Sequence, residues 1–385
     1  MNIIYAREPF PSDVESTIFL AGPTPRDKFP SWRSEAIRLF QEMDFKGHIF
    51  VPEDRTGDYK GDYNDQIGWE EEGLHRADCI VFWVPREMSK MPALTTNDEW
   101  GAWKNSGKVV FGAPNEAQSV RYQEAYAAKF GVPSFRNLRD TLRAAVERVQ
   151  PGARRVGGEC QVPLFIWKLE SFQAWYRAQQ DAGNRLDGAR ICWTFRVGPQ
   201  KNFVFSWVAH VDVFVKSENR NKKNEFVFGR TDIATVLLWH PGASFLDTEI
   251  VLIKEFRSPA RTPDGFIHEL PGGSSKSSKP AFQTAVEEVY EEVGLLLRPS
   301  RLREIGTRQL AGTLSSFSGT LLAAELTCDE MVQLRKDAAS GKVRGVESDT
   351  ERTYIEIVRV ADLLRSPMTD WSMMGMVFAA LGHLS

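Results

Sequence analysis

The stretch Gly273 to Leu295, GSSKSSKPAFQTAVEEVYEEVGL, constrains this chain most. It reads as a loop, a helix and a stop. Ser277 and Ser278 are candidate caps, Pro280 suits the first turn and Gly294 the C-terminal cap. Ala281, Ala285, Val289 and Val293 recur every four residues, which predicts one buried stripe. Glu288, Glu291 and Glu292 share another region of the helix, with Glu287 beside them. Like charges at this spacing repel unless a cation bridges them. Mg²⁺ and Mn²⁺ take oxygen ligands of this kind, often together with substrate phosphates. A solvated acidic face is the plain alternative.

The same stretch resembles the Nudix box, G-x5-E-x7-R-E-U-x-E-E-x-G-U with U a bulky aliphatic residue. Gly273, Glu288, Val289, Glu291, Glu292, Gly294 and Leu295 stand in register. Lys279 stands where the family has Glu, and Glu287 where it has Arg. These departures are opposite in sign, so the expectation is a loop–helix ion pair with its charges exchanged. The resemblance implies Mg²⁺ or Mn²⁺ on Glu288, Glu291 and Glu292, with Glu288 and Glu292 catalytic. Its nearest branch is the ADP-ribose pyrophosphatase type, whose lead-in motifs read here EFRSPA (255–260) and HELPGG (268–273). Arg257 is then a candidate for the substrate pyrophosphate, and the Gly272 carbonyl for the metal. The acidic loop 345–353 offers Glu347, Asp349 and Glu351. Glu347 is the candidate ligand, and the sequence leaves the other two open.

Ahead of this region strand and helix alternate. TIFLAG (17–22), HIFVPED (48–54), DCIVFWV (78–84) and KVVFGAP (108–114) read as strands, with helical segments at 31–43, 65–77, 95–106 and 138–149. That order predicts an α/β domain with an open, mainly parallel sheet, whose ligands bind at the carboxyl ends of the strands. FLAGPTPR (19–26), SWR (31–33), VPEDR (51–55), the segment 65–87 and TTNDEWG (95–101) resemble the nucleoside 2-deoxyribosyltransferase family. The resemblance implies Glu99 as the nucleophile that attacks the anomeric carbon, with Asp78 near the base or sugar. Arg26, Lys28 and Arg33 are candidates for a 5′-phosphate. Trp69, Trp83, Trp100 and Trp103 can stack on a base or pack in the core.

The expected domains are residues 1–150, a linker and connecting helix at 151–190, and an α/β/α Nudix sandwich with a mixed sheet at 191–385. The helix read at 165–184 carries Phe165, Phe172 and Tyr176 on one stripe, which asks for a partner surface. Together with the habit of both resembled families, it predicts a homodimer or larger assembly. A net charge of −3 gives no sign of nucleic acid as partner. No apolar run reaches membrane-spanning length, and the N-terminus has no signal-peptide pattern. Cys79, Cys160, Cys192 and Cys328 form no metal spacing and suit a reducing cytoplasm. Two functional readings follow. One is a bifunctional nucleotide-processing enzyme that cleaves or transfers an N-glycosidic bond and hydrolyses an ADP-ribose-like diphosphate with Mg²⁺. The other is a nucleotide sensor whose divergent Nudix part regulates the first domain.

Overall fold

The computed structural model describes residues 1–24, 30–56, 62–198, 201–274, 279–346 and 350–384. Contacts divide the chain into two units, Met1–Gly229 and Arg230–Ser385. In chain order the first unit runs β1 (Asn2–Tyr5), β2 (Asp13–Val14), β3 (Thr17–Ala21), α1 (Trp32–Glu42), β4 (His48–Val51), α2 (Tyr63–Arg76), β5 (Cys79–Trp83), α3 (Leu94–Trp103), β6 (Val109–Gly112), α4 (Arg121–Phe130), β7 (Ser134–Phe135) and α5 (Leu138–Val149). It continues through β8 (Arg155–Val156), α6 (Leu164–Trp167), α7 (Glu170–Asp181), β9 (Arg185–Val197), β10 (Phe203–Val215) and β11 (Arg220–Arg230).

Strands β1, β4, β3, β5, β6 and β7 form one parallel sheet in that spatial order. Every residue of β3 and β5 is buried, because helices cover both faces, and this is why these strands are apolar without alternation. Phe19, Ile80, Phe82 and Phe111 face Trp69 and Leu74 of α2, Trp100 of α3 and Ala127 of α4. Ile18, Leu20, Val81 and Val110 face Leu39 and Phe40 of α1 and Leu142 and Ala145 of α5. Ser31 caps α1 as expected, its hydroxyl accepting from the Arg33 amide at 3.1 Å.

The expected boundaries at 150 and 190 do not match the contacts. Residues 151–229 group with the first unit. β8 pairs with β2, and β9, β10 and β11 form a separate three-stranded sheet. Phe172 and Tyr176 of α7 are buried against Leu186, Trp207, Ala209 and Val211 of that sheet. The aromatic stripe is therefore covered by the unit's own strands, and it no longer argues for a partner. Phe165 sits on the separate short α6, because the single helix expected over 165–184 is broken before α7 begins at Glu170.

The second unit runs β12 (Ile233–His240), β13 (Glu249–Glu255), β14 (Ile267–Glu269), β15 (Gly272–Gly273), α8 (Ala281–Glu288), β16 (Arg303–Gln309), β17 (Ser318–Glu325), α9 (Cys328–Ala339), β18 (Thr353–Arg359), α10 (Val360–Leu363) and α11 (Trp371–Leu384). Its mixed sheet has the order β14-β13-β12-β17-β16, with β15 on β12 and β18 on β13. Among the described residues of this sheet β12 and β17 pair in parallel, and the other neighbouring strands pair antiparallel. Ala285, Val289 and Val293 pack with Met331 and Leu334 of α9 on one face of the sheet. Met373, Val377, Ala380 and Leu381 of α11 cover the other. The chain is thus α/β throughout, a parallel sheet with flanking helices followed by a mixed sheet between helix layers. No helix among the described residues is long and apolar enough to cross a membrane.

Candidate active sites

In the first unit a cleft of about 690 Å³ opens at the carboxyl ends of β3, β4 and β5. Its wall includes Gly22, Thr24, Glu70, Ala93, Thr96 and Glu99. Gly22 ends β3 at φ 145°, where a Cβ would lie 2.2 Å from the Trp83 carbonyl, so only glycine lets the two strand ends meet. Arg7 and Ala93, both in the wall, hold left-handed backbone at φ 69° and 58°. Strain of this kind collects at ligand sites.

Glu99 is the sixth residue of α3. Burial pushes its carboxyl up to about 8; Glu70 adds to the rise, and Arg33 opposes it. The sequence places Glu99 at a helix start, where the helix field favours the ionised form. The observed second-turn position lies beyond that field, and burial prevails. Glu70 is the wall residue that sequence reasoning missed. Its Oε1 accepts from Gln66 Nε2 at 2.8 Å, and burial also raises its carboxyl. It belongs to the run Glu70–Glu71–Glu72, which looks like a solvated helix face. The usable signal is the one-turn spacing of Gln66 and Glu70, since Glu71 and Glu72 turn instead to Arg190 and Arg76.

Asp78 is not brought to this cleft. It precedes β5 at the amino end of the sheet, with its side chain fully buried against Arg155. Both carboxylate oxygens accept from Arg155 at 2.7 Å, and the amides of Thr17 and Leu164 donate at 2.8 and 2.7 Å. This carboxylate is saturated and structural. Arg33 does line the cleft, but its donors serve Leu20 O, Gly22 O, Thr24 Oγ1 and Glu53 Oε1, so it braces the loop after β3. Arg26 and Lys28 lie outside the described residues. Trp69, Trp83 and Trp100 are core residues. Trp103 lies under the Lys108 ammonium at 4.6 Å, and none of the four belongs to the cleft wall.

In the second unit the structure brings Glu255, Glu269, Glu288, Glu292 and Glu351 to one region. Oxygens of Glu255, Glu292 and Glu351 lie within 4.8 Å of one another. Burial pushes Glu288 and Glu269 up to about 7, raises Glu292 well above the ordinary carboxyl range, and raises Glu255. Gly273 packs so tightly on Glu288 that a Cβ would meet its Oε1 at 2.3 Å. The expected helix ends in a π turn, Val289–Val293, and stops at Gly294 with φ 79°. Such turns often mark functional sites. Glu291 is exposed, and its charge helps to raise Glu288. The Gly272 contact with the cluster is made by its amide, which donates to Glu292 Oε2 at 2.9 Å; its carbonyl was the group expected there. Arg257 Nη2 reaches Glu255 at 2.8 Å and Glu351 at 3.3 Å. Ser277, Ser278, Glu347 and Asp349 lie outside the described residues. Glu255 and Glu269 were missed because single carboxylates in strands read as ordinary polar positions.

Lys279 Nζ lies 3.0 and 2.7 Å from the Glu287 carboxylate oxygens, and this contact holds the Glu287 carboxyl below its ordinary range. The two residues that depart from the box therefore meet as an ion pair. Lys279→Glu alone is expected to lower the unfolding midpoint, and Lys279→Glu with Glu287→Arg to restore it. A double-mutant cycle with zero coupling would show that the pair contributes nothing.

A strained cleft holding two half-buried carboxyls at the carboxyl ends of a parallel sheet stands where open α/β sheets bind their ligands. Residues 15–117 match the family model described as nucleoside 2-deoxyribosyltransferase like, and the parallel-sheet part of the first unit is similar to that family. The crystal structure of an ADP compounds hydrolase aligns over 52% of this chain and 96% of its own, with a TM-score of 0.34 and 16% identity. No curated protein matches the chain.

Proposed function

We propose that the chain is a two-site nucleotide-processing enzyme. The observation that carries the first site is the pairing of Glu99 with Glu70 in one cleft. Ionised Glu99 attacks C1′ of a nucleoside or nucleotide, and the C1′–N bond breaks with its electron pair going to the base. The Glu70 carboxyl donates a proton to that base. Water, deprotonated by Glu70, then attacks C1′ of the sugar ester and frees Glu99. Two inversions give net retention.

The second site is read as a Nudix-type hydrolase acting on an ADP-ribose-like diphosphate. The donor set fits a hard cation: clustered carboxylates, and a glycine where any side chain would fill the cradle. Glu288, Glu292 and Glu351 would hold Mg²⁺ or Mn²⁺, which supplies charge neutralisation and a more acidic water. Arg257, which pairs with Glu255 and Glu351, would bind the pyrophosphate. The sensor reading keeps one specific support, the replacement of two box residues by the Lys279–Glu287 pair.

Incubation with a nucleotide panel, with and without Mg²⁺ and read by mass spectrometry, separates base release from phosphate cleavage. Glu292→Gln is expected to slow the metal-dependent cleavage by on the order of 10²-fold and to leave base release unchanged. Intact ADP-ribose after incubation of the wild type with Mg²⁺ favours the sensor.

A further inference from the structure

Three aromatic side chains of α4 form a ladder, one helical turn apart. The ring centroids of Phe130 and Tyr126 are 5.7 Å apart, and those of Tyr126 and Tyr122 4.9 Å. The last ring, Tyr122, is 69% exposed, so the ladder ends in water. Ammonium groups edge it. Lys104, from the turn after α3, and Lys129 each stand 5.5 Å from the Tyr126 ring. Lys201, from the turn between β9 and β10, stands 5.4 Å from the Phe130 ring. Two guanidiniums continue the band. Arg196 of β9 donates to the Lys201 and Asn105 carbonyls at 3.5 and 2.9 Å. Arg148 of α5 donates to the Gly107 carbonyl in the same turn as Asn105.

Among the described residues none of Lys104, Lys129, Lys201, Arg148 and Arg196 pairs with a carboxylate. Glu124, the acid on α4 itself, goes to Arg136. Burial, and then the Arg148 charge, hold the Arg196 guanidinium below its ordinary value. Like charges gathered without a counter-ion repel, and a bound anion relieves them. The net charge of −3 averages this band away. We propose that the band binds single-stranded nucleic acid. The cations match a run of phosphates, and the rings, spread over about 12 Å of helix, match a run of unpaired bases. A free phosphate would use the cations alone, and a duplex keeps the faces of its bases stacked on each other. None of these cations or rings belongs to the wall of the Glu99 cleft, so the surface does not depend on the reaction read there.

The test is fluorescence anisotropy of a labelled oligothymidylate of about 12 nucleotides, titrated with the full chain at low salt. Saturable binding is expected. Its constant should fall with salt at a log–log slope of about −0.7 per phosphate contact, so about −3.5 for the five cations. Lys104→Glu combined with Lys129→Glu should weaken binding by about tenfold or more and flatten the slope. Tyr122→Ala should weaken it by about fivefold or more, and should leave unchanged the binding of an abasic sugar-phosphate oligomer of the same length. Circular dichroism checks the fold of each variant. No saturable binding by the wild type overturns the proposal, as does wild-type affinity in the folded charge variant. Equal affinity for the abasic oligomer or for a duplex of the same length also overturns it, since the surface would then read charge alone.

Discussion

Glu99→Gln is expected to cut base release by on the order of 10³-fold or more, while metal-dependent phosphate cleavage by the second unit continues. The amide keeps the shape of the side chain and removes the only oxygen nucleophile assigned to the cleft. The pH dependence is the sharper test. Only the ionised carboxylate attacks, and burial together with Glu70 holds Glu99 protonated up to about 8. The kcat/KM for base release should therefore rise with pH as Glu99 ionises and fall again as the Glu70 carboxyl loses the proton it donates, a bell rather than a plateau. Glu70→Gln removes the neighbouring charge and should move the midpoint down, at the cost of the proton donor. The same shift has a stability sign. The folded unit keeps a proton that the unfolded chain releases near 4.5, so stability falls as pH climbs from there toward about 8. A flat profile across that range, or a Glu99→Gln variant at wild-type rate, would move the nucleophile elsewhere. Exposed Asp98 is then the next carboxylate to replace.

Asp78→Ala is expected to destabilise the first unit by about 3–5 kcal/mol, because it leaves the Arg155 guanidinium buried without its counter-charge. The alanine also orphans the Thr17 and Leu164 amides. Asp78→Leu combined with Arg155→Met should recover much of the loss, since replacing both partners removes the charge as well as the pair. Urea unfolding of the three proteins measures this. Base release by the folded fraction should persist in each. Asp78 stands at the opposite end of the five-residue β5 from the cleft, about 16 Å away at the rise of a strand. Loss of activity without loss of stability would return Asp78 to the site.

The difference between Glu99 and Asp78 shows what the sequence could carry. The alternating strands and helices were legible, and so was the end of the sheet at which ligands gather. That rule alone separates the two carboxylates, since Asp78 precedes its strand and Glu99 lies beyond the carboxyl end of the same one. Glu70 was hidden among adjacent glutamates, because a run of like residues does not say which one points inward. In the second unit the helix stripe Ala285, Val289 and Val293 was plain from its spacing. The convergence of Glu255, Glu269 and Glu351 was not, since strand pairing brings together residues that are distant in sequence. The mixed sheet was expected over 191–385, but β9, β10 and β11 form a sheet of their own within the first unit. Alternation does not state which sheet a strand joins, and the packing of Trp207 on Phe172 decides it.

The Asp78–Arg155 contact also sets what can be excised. A fragment cut after residue 150 would keep the acid and lose the base, along with the Val162 and Leu164 backbone groups that bond to the pair. Such a fragment carries every strand of the parallel sheet yet leaves a bare charge beneath it. The smallest piece that could be recombined into another gene with its interior neutralised must run past α6, and the contacts extend it to Gly229. The inheritable module is longer than the family-like segment inside it.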